Sequence, residues 1–130
     1  MRRIWVERTI DAPAESVWHL LASTDHWPAW GPSVRGAAID GGDLVPGATG
    51  QVETVAGVSL SFEITEVVQG SSWSWNVAGV GATGHRVVPL AGGRCRAGFG
   101  VPWIAAPYAA VCAIALHRLD ELATAQPAPR

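Results

Sequence analysis

The feature that most constrains the fold is a strict alternation of apolar and polar residues in the second half of the chain. In residues 59–64 the apolar residues are Leu60, Phe62 and Ile64, and the residues between them are polar. The same period of two recurs in residues 73–77 and 94–99. Because successive side chains of a strand point to opposite faces, this pattern predicts an antiparallel sheet with one face in water and the other face covered.

Glycine-rich turn signals separate the segments that carry this alternation. They predict strands at residues 3–10, 34–40, 49–55, 59–68, 72–78, 84–90 and 94–100. A short helix from 11–15 to about 23–24, and a helical turn within 25–32, are predicted between the first two strands. The last element is a helix from about Pro107 to Thr124 with an apolar stripe. The stripe consists of Tyr108, Val111, Cys112, Ala115, Leu116, Leu119 and Leu122.

This order of elements predicts an α+β fold. A curved antiparallel sheet of about seven strands is expected to wrap on the long C-terminal helix, because each of the two apolar faces needs cover. A chain of 130 residues is long enough to bury one such core. We therefore expect a single domain at residues 1–125 and a frayed tail at residues 126–130.

Composition and charge exclude several classes of protein. The chain is 48% hydrophobic and 15% charged, which is unlike a disordered segment. Its net charge is −2 and its basic residues are all arginine, without a basic stripe, so nucleic-acid binding is not predicted. The apolar segment 101–116 is shorter than the roughly 20 residues of a membrane span and contains two prolines, so membrane insertion is not predicted either.

The sequence carries few signals for export or for bound groups. Its amino end lacks the apolar run of a signal peptide, and two cysteines do not make a disulfide framework, so a cytoplasmic location is expected. The four histidines are scattered, and there is no phosphate-binding loop or dinucleotide fingerprint. No metal and no cofactor are predicted.

Two groups of residues carry a resemblance to a known family. The first is Asp11-Ala12-Pro13 with Glu15, Val17 and Trp18, followed by Trp27-Pro28 and Trp30. The second is Trp73 with Trp75, Gly84-His85, and Gly92-Gly93 before Cys95. Over nearly the whole chain, the sequence resembles polyketide cyclase/dehydrase-like proteins of the START-like (SRPBCC, Bet v 1-like helix-grip) superfamily. The resemblance implies a sheet that grips the C-terminal helix, a cavity between them for an apolar molecule, and usually no metal.

The alternation and the helical stripe together predict which side chains face such a cavity. The candidate ligand-binding residues are Thr54, Phe62, Ile64, Trp73, Trp75, His85, Val87, Phe99, Tyr108, Val111, Cys112 and Ala115. Aromatic rings suit flat, conjugated ligands, although the same rings also serve as plain core. Trp18 and Trp30 are interpreted as mainly structural, and Cys95 and Cys112 as free, buried thiols.

His85 and Tyr108 are the candidates for catalysis. His85 is the one ionisable side chain that the alternation places on the covered face of the central strands, where its imidazole could orient a ligand or move a proton. Alternatively, it is a core residue bonded to a neighbouring backbone group. The hydroxyl of Tyr108 could pair with His85 across the cavity or reach solvent at its rim.

The sequence is compatible with three functions from different classes. The first, which we favour, is the binding of a small hydrophobic molecule, aromatic, polyketide-like or lipid-like. The second is an enzyme of the cyclase/dehydratase type that uses the same cavity without metal or cofactor. The third is a surface-interaction protein that forms a homodimer without ligand, through Ala110, Ala113 and Ile114 on the outer side of the last helix.

Overall fold

The computed structural model describes residues 3–125, so the predicted frayed tail at 126–130 lies outside the described residues. Seven strands form one antiparallel sheet in the order β1-β7-β6-β5-β4-β3-β2 within this range. The strands are β1 (Arg3–Ile10), β2 (Val34–Ile39), β3 (Thr49–Thr54), β4 (Ser59–Val68), β5 (Ser72–Val77), β6 (Val80–Leu90) and β7 (Arg94–Pro102). The predicted helix-grip architecture is confirmed.

Three helices lie on one face of the sheet. They are α1 (Ala14–Ala22), the single turn α2 (Trp27–Trp30) and the long C-terminal α3 (Ala109–Ala125), with 3₁₀ turns at Thr24–His26 and Trp103–Tyr108. Helix α1 begins after Pro13 and buries Val17, Leu20 and Leu21, which share one face because a helix repeats every 3.6 residues. These three residues give α1 a continuous apolar surface against the sheet.

The starts of β6 and α3 differ from the prediction, and several strand ends differ from it by one or two residues. Strand β6 begins at Val80 instead of residue 84, because the turn before it contains only Ala78 and Gly79, with φ of 53° and 78°. Positive φ at both positions is the signature of a two-residue hairpin turn whose twist matches the flanking strands. Helix α3 begins at Ala109 instead of Pro107, which lies in the preceding 3₁₀ turn.

Glycines of β6 and β7 leave room for a tryptophan on the convex face. A Cβ atom added to Gly100 would lie 2.8 Å from the ring of Trp5, and one added to Gly84 would lie 3.2 Å from it. The guanidinium carbon of Arg86 lies 3.7 Å from the centre of that ring. This ring and cation cover the outside of the two strands that carry His85 and Phe99 on their inner side.

The concave face is divided into two ends. At the closed end, α1 packs on β6 and β7, and the inward residues Phe62, Ile64 and Val87 are each at most 3% exposed. At the open end, the sheet faces the first half of α3. Among the described residues, no helix combines the length and apolar character that crossing a membrane would require.

Candidate functional site

The open end encloses a cavity of about 470 Å³ between the sheet and α3. Its wall comes from the adjoining ends of β3 to β7, the segment Gly31–Val34 and the start of α3. This volume lies in the range of roughly 300–1,000 Å³ that small-molecule sites occupy in proteins.

Most of the predicted ligand-binding residues lie on this wall. They are Thr54, Trp73, Trp75, His85, Phe99, Tyr108, Val111, Cys112 and Ala115. The other three, Phe62, Ile64 and Val87, face the same side of the sheet but lie at the closed end, away from the cavity wall. The alternation identifies the face on which a side chain lies, but not where along the strand α1 covers that face.

The prediction missed several wall residues, of which Trp27, Trp30, Ser33 and Thr83 matter most for the chemistry. Trp30, interpreted from the sequence as structural, is only 6% exposed and also lines the cavity. The spacing of Trp27 and Trp30, three residues apart, was a usable signal, because such residues share one face of a helix. Nothing comparable in the sequence pointed to Ser33.

Small side chains on α3 explain why the open end is hollow. The inward residues of its first half are Val111, Cys112 and Ala115, whereas Leu116 and Leu119 follow where the core closes. Large rings on the sheet therefore face short side chains on the helix, and the volume between them is not filled. Solid packing would require larger residues at these helix positions.

The sheet side of the cavity is a continuous group of aromatic rings. The ring centres of Trp27 and Trp73 lie 4.9 Å apart in a stacked arrangement, and those of Trp73 and Trp75 lie 5.3 Å apart edge to face. Trp30 lies 5.3 Å from Phe99. Such contacts hold the rings in fixed orientations, and of these rings Trp75 is the most accessible from the cavity.

The indole N–H groups of these tryptophans already have protein acceptors. Trp27 and Trp73 both donate to the carbonyl of Leu21, at 2.8 and 3.0 Å, and Trp30 donates to the carbonyl of Leu20 at 2.8 Å. These carbonyls belong to the last turn of α1, where backbone acceptors lack helical partners. The indoles thus cap α1, and their N–H groups are not available to a ligand.

His85 is held by hydrogen bonds at both ring nitrogens. Its Nδ1 lies 3.2 Å from the carbonyl oxygen of Trp73, and its Nε2 lies 3.1 Å from Oγ1 of Thr83. Thr83 Oγ1 also accepts the indole N–H of Trp75 at 2.9 Å. The imidazole stacks on the ring of Trp73, with ring centres 3.8 Å apart.

Burial lowers the pKa of His85 to about 3, although its bond to the Trp73 carbonyl opposes this change. The imidazole is therefore neutral at physiological pH. Burial also raises the pKa of the Cys112 thiol to about 11, so this wall residue is uncharged as well. Neither group has the pKa near neutrality that suits a general acid or base.

Tyr108 lies at the rim, where it is 40% exposed. Its hydroxyl lies 2.9 Å from Oγ of Ser33, so it forms a hydrogen bond with Ser33 and not with His85. This contact joins the segment after α2 to the segment before α3 across the cavity mouth. The two catalytic candidates therefore belong to separate hydrogen-bond groups.

Charged groups are lacking at the cavity. Among residues 3–125, no Asp, Glu, Lys or Arg contributes to its wall. In the same part of the chain, no three His, Cys, Asp or Glu side chains are grouped so that they could hold a metal ion. The wall as described consists of apolar surface with a few hydroxyl groups.

The chain is similar to known proteins in both sequence and fold. A family model described as polyketide cyclase/dehydrase and lipid transport matches residues 1–123. No curated protein matches the sequence. Many solved structures are similar, at low sequence identity.

Three of these structures illustrate the range. The protein XoxI from Bacillus cereus has a TM-score of 0.74 at 12% identity, with 96% of this chain and 97% of that chain covered. The Aha1 dimer from Colwellia psychrerythraea has a TM-score of 0.69 at 18% identity, with 98% and 100% covered. Norcoclaurine synthase from Thalictrum flavum, in complex with dopamine and hydroxybenzaldehyde, has a TM-score of 0.64 at 16% identity, with 98% and 89% covered.

At these identities the structural matches concern the fold alone, and they agree with the helix-grip architecture. The family model, in contrast, covers nearly the entire sequence and contains every element from β1 to most of α3. The resemblance noted in the sequence is confirmed: the chain belongs to the polyketide cyclase/dehydrase and lipid transport family of the START-like superfamily.

Proposed function

We propose that the protein binds a neutral, largely apolar small molecule with a flat aromatic part in the cavity at the open end. The observation that carries this proposal is the wall itself, which combines a volume of about 470 Å³ with aromatic faces whose N–H groups are already bonded. Apolar surface gains about 25 cal/mol per Å² when a ligand removes it from water.

The charge of the wall restricts the ligand. A carboxylate or ammonium group placed beside Trp75 and Phe99 would lose its hydration and find no opposite charge among the described wall residues. A neutral ligand avoids this cost. The description of the family, which includes lipid transport, and the two aromatic molecules bound to norcoclaurine synthase are consistent with such a ligand.

Isothermal titration calorimetry with 2-naphthol tests this proposal. We expect saturable binding to the unchanged protein and at least tenfold weaker binding to Ala115→Phe, because Ala115 is buried on the wall and a phenyl ring there would fill the cavity. Ala113→Phe is the matched control, since Ala113 is exposed on the outer side of the same helix. No saturable binding, or equal weakening by both variants, would refute the proposal.

An enzyme of the cyclase/dehydratase type is the second candidate, favoured by the hydroxyl of Tyr108 on the cavity wall. The neutral, doubly bonded state of His85 argues for binding over acid–base catalysis. If the protein converts a polyketide-like substrate and Tyr108→Phe abolishes turnover but leaves binding unchanged, the enzymatic assignment replaces the simpler one. Unchanged turnover in that variant would remove Tyr108 from consideration.

A further inference from the structure

In each hydrogen bond around His85, only one of the two groups can be the donor. The carbonyl of Trp73 can only accept, so the hydrogen of the neutral imidazole is on Nδ1, and Nε2 carries none. A bare Nε2 can only accept, so Thr83 donates its hydroxyl hydrogen to His85. The indole N–H of Trp75 can only donate, so Thr83 Oγ1 accepts from it.

This arrangement leaves Thr83 with one unused acceptor position. A hydroxyl has one hydrogen and two lone pairs, and here the hydrogen and one lone pair are occupied by His85 and Trp75. The second lone pair belongs to a half-buried side chain on the cavity wall. Because the hydroxyl donates to His85, its oxygen is polarised and becomes a better acceptor.

Thr83 lies in an irregular part of the pairing between β5 and β6. In the pairing of β5 with β6, Ser74 lies opposite Gly84 and Asn76 lies opposite Gly81, so two residues of β6 face the single residue Trp75. Thr83 belongs to this bulge and lies two positions before His85, so the alternation of the strand places both side chains on the concave face.

The neighbouring wall groups cannot supply a matching donor. The indole N–H groups of Trp27, Trp30 and Trp73 point to carbonyls of α1, and that of Trp75 points to Thr83 itself. The hydroxyl pair of Ser33 and Tyr108 lies at the rim. The sheet side of the cavity therefore offers an acceptor for which none of these wall groups is a donor, and a ligand can donate to it.

We propose that Thr83 selects ligands that carry a hydroxyl donor, such as a phenol, by accepting a hydrogen bond from it at the inner wall of the cavity. This inference rests on the proposed function, since it describes how the same cavity distinguishes its ligands. A ligand with an ether or carbonyl oxygen at the same position has no hydrogen to donate. Its oxygen and Thr83 Oγ1 are then two acceptors side by side, and no hydrogen bond forms between them.

Calorimetric titrations with 2-naphthol and 2-methoxynaphthalene test the inference on the unchanged protein. The two compounds share the ring system and the oxygen, and only the first has a donor. We expect 2-naphthol to bind about fivefold more tightly, the difference that one hydrogen bond to a neutral group typically makes. Thr83→Val, which keeps the shape but removes the hydroxyl, should reduce this ratio to about one, and Thr83→Ser should restore it.

The outcomes separate this inference from the function on which it rests. Equal affinities for the two compounds in the unchanged protein would overturn the role of Thr83 and leave the proposed function intact. Binding of neither compound would overturn both. Because the ratio is first measured on the unchanged protein, the test does not depend on the folding of Thr83→Val. A preference for 2-naphthol that persists in a folded Thr83→Val protein would also overturn the assignment.

Discussion

The closed and open ends of the concave face are built from similar residues, yet one is solid and the other hollow. Strand β4 crosses both ends, and its inward residues Leu60 and Ile64 lie four positions apart. Ile64 is fully buried at the closed end, whereas Leu60 is partly exposed on the cavity wall. The difference lies in what each end faces: the open end faces the short side chains of the first half of α3, whereas Ile64 at the closed end is enclosed by protein.

This comparison shows that alternation in a sheet defines one face but does not define its function. The closed end uses its apolar residues for stability, because each is surrounded on every side. At the open end, part of the same surface has no protein neighbours. A ligand can contact this part of the surface. Substitutions at the two ends should therefore affect different measurements.

The largest expected effect comes from truncating matched residues at the two ends. Ile64→Ala should lower the free energy of unfolding by about 3–4 kcal/mol, because it removes three carbons from a closed core and leaves a cavity. Leu60→Ala should lower it by about 1 kcal/mol, since its side chain already borders empty space. Urea denaturation of both variants, followed by tryptophan fluorescence, gives the two values.

Ligand affinity is the complementary measurement for the same pair. Leu60→Ala should change the affinity for 2-naphthol, whereas Ile64→Ala, once shown to be folded, should not. Equal losses of stability in the two variants would contradict the division into a closed and an open end.

Most of the fold could be predicted from the sequence, because strands with one covered face carry a period of two and amphipathic helices carry an apolar stripe. The clearest failure concerns β6. This strand was predicted to begin at residue 84 but begins at Val80, and Gly84 within it leaves room for the ring of Trp5 packed above it. That contact joins residues far apart in the chain, and no local pattern reports it.

The candidate site was harder to predict than the fold. Alternation placed Trp75, His85 and Phe99 on the concave face, but it could not tell them from Ile64, which lies on the same face away from the cavity wall. Thr83 was missed because the predicted strand began at residue 84 and left out the segment that carries Thr83. The rim contact between Ser33 and Tyr108 joins two loop segments, for which the sequence gives no register.

A moderate loss of stability is expected when the pH is lowered. This loss tests whether water is excluded from the part of the open end where His85 lies. The pKa of His85 is lowered from 6.5 to about 3 by burial, so the unfolded chain binds a proton between these values and the folded chain does not. Stability contributed by this group is present above pH 6.5 and is lost as the pH falls. Lowering the pH from 7 to 5 should cost about 2 kcal/mol from this residue.

Thermal or urea unfolding at several pH values, for the unchanged protein and for His85→Gln, isolates that contribution. The variant should lose less stability than the unchanged protein between pH 7 and 5. If His85→Gln does not alter the pH dependence, water reaches the imidazole and the open end is less shielded than its geometry implies.

The smallest expected effect concerns the rim of the open end. The contact between Ser33 and Tyr108 is an exposed hydrogen bond of 2.9 Å that spans the mouth of the cavity. Ser33→Ala should lower stability by only about 0.5 kcal/mol, because water replaces the lost partner. It should nevertheless raise the rates of 2-naphthol association and dissociation several-fold, because the hydrogen bond between the two segments at the mouth is lost. Stopped-flow fluorescence measures these rates.

Ser61→Ala is the matched control for this variant. It removes the bond from Gln51 to Ser61, which is also exposed and 2.8 Å long, but lies on the convex face. Both serine variants should therefore have similar, small effects on stability, and only Ser33→Ala should change the exchange rates of the ligand. Tyr108→Phe should reproduce the effect of Ser33→Ala, and the double variant should add little, because both changes break one bond. Additive effects of the two substitutions would mean that the mouth is controlled by something other than this contact.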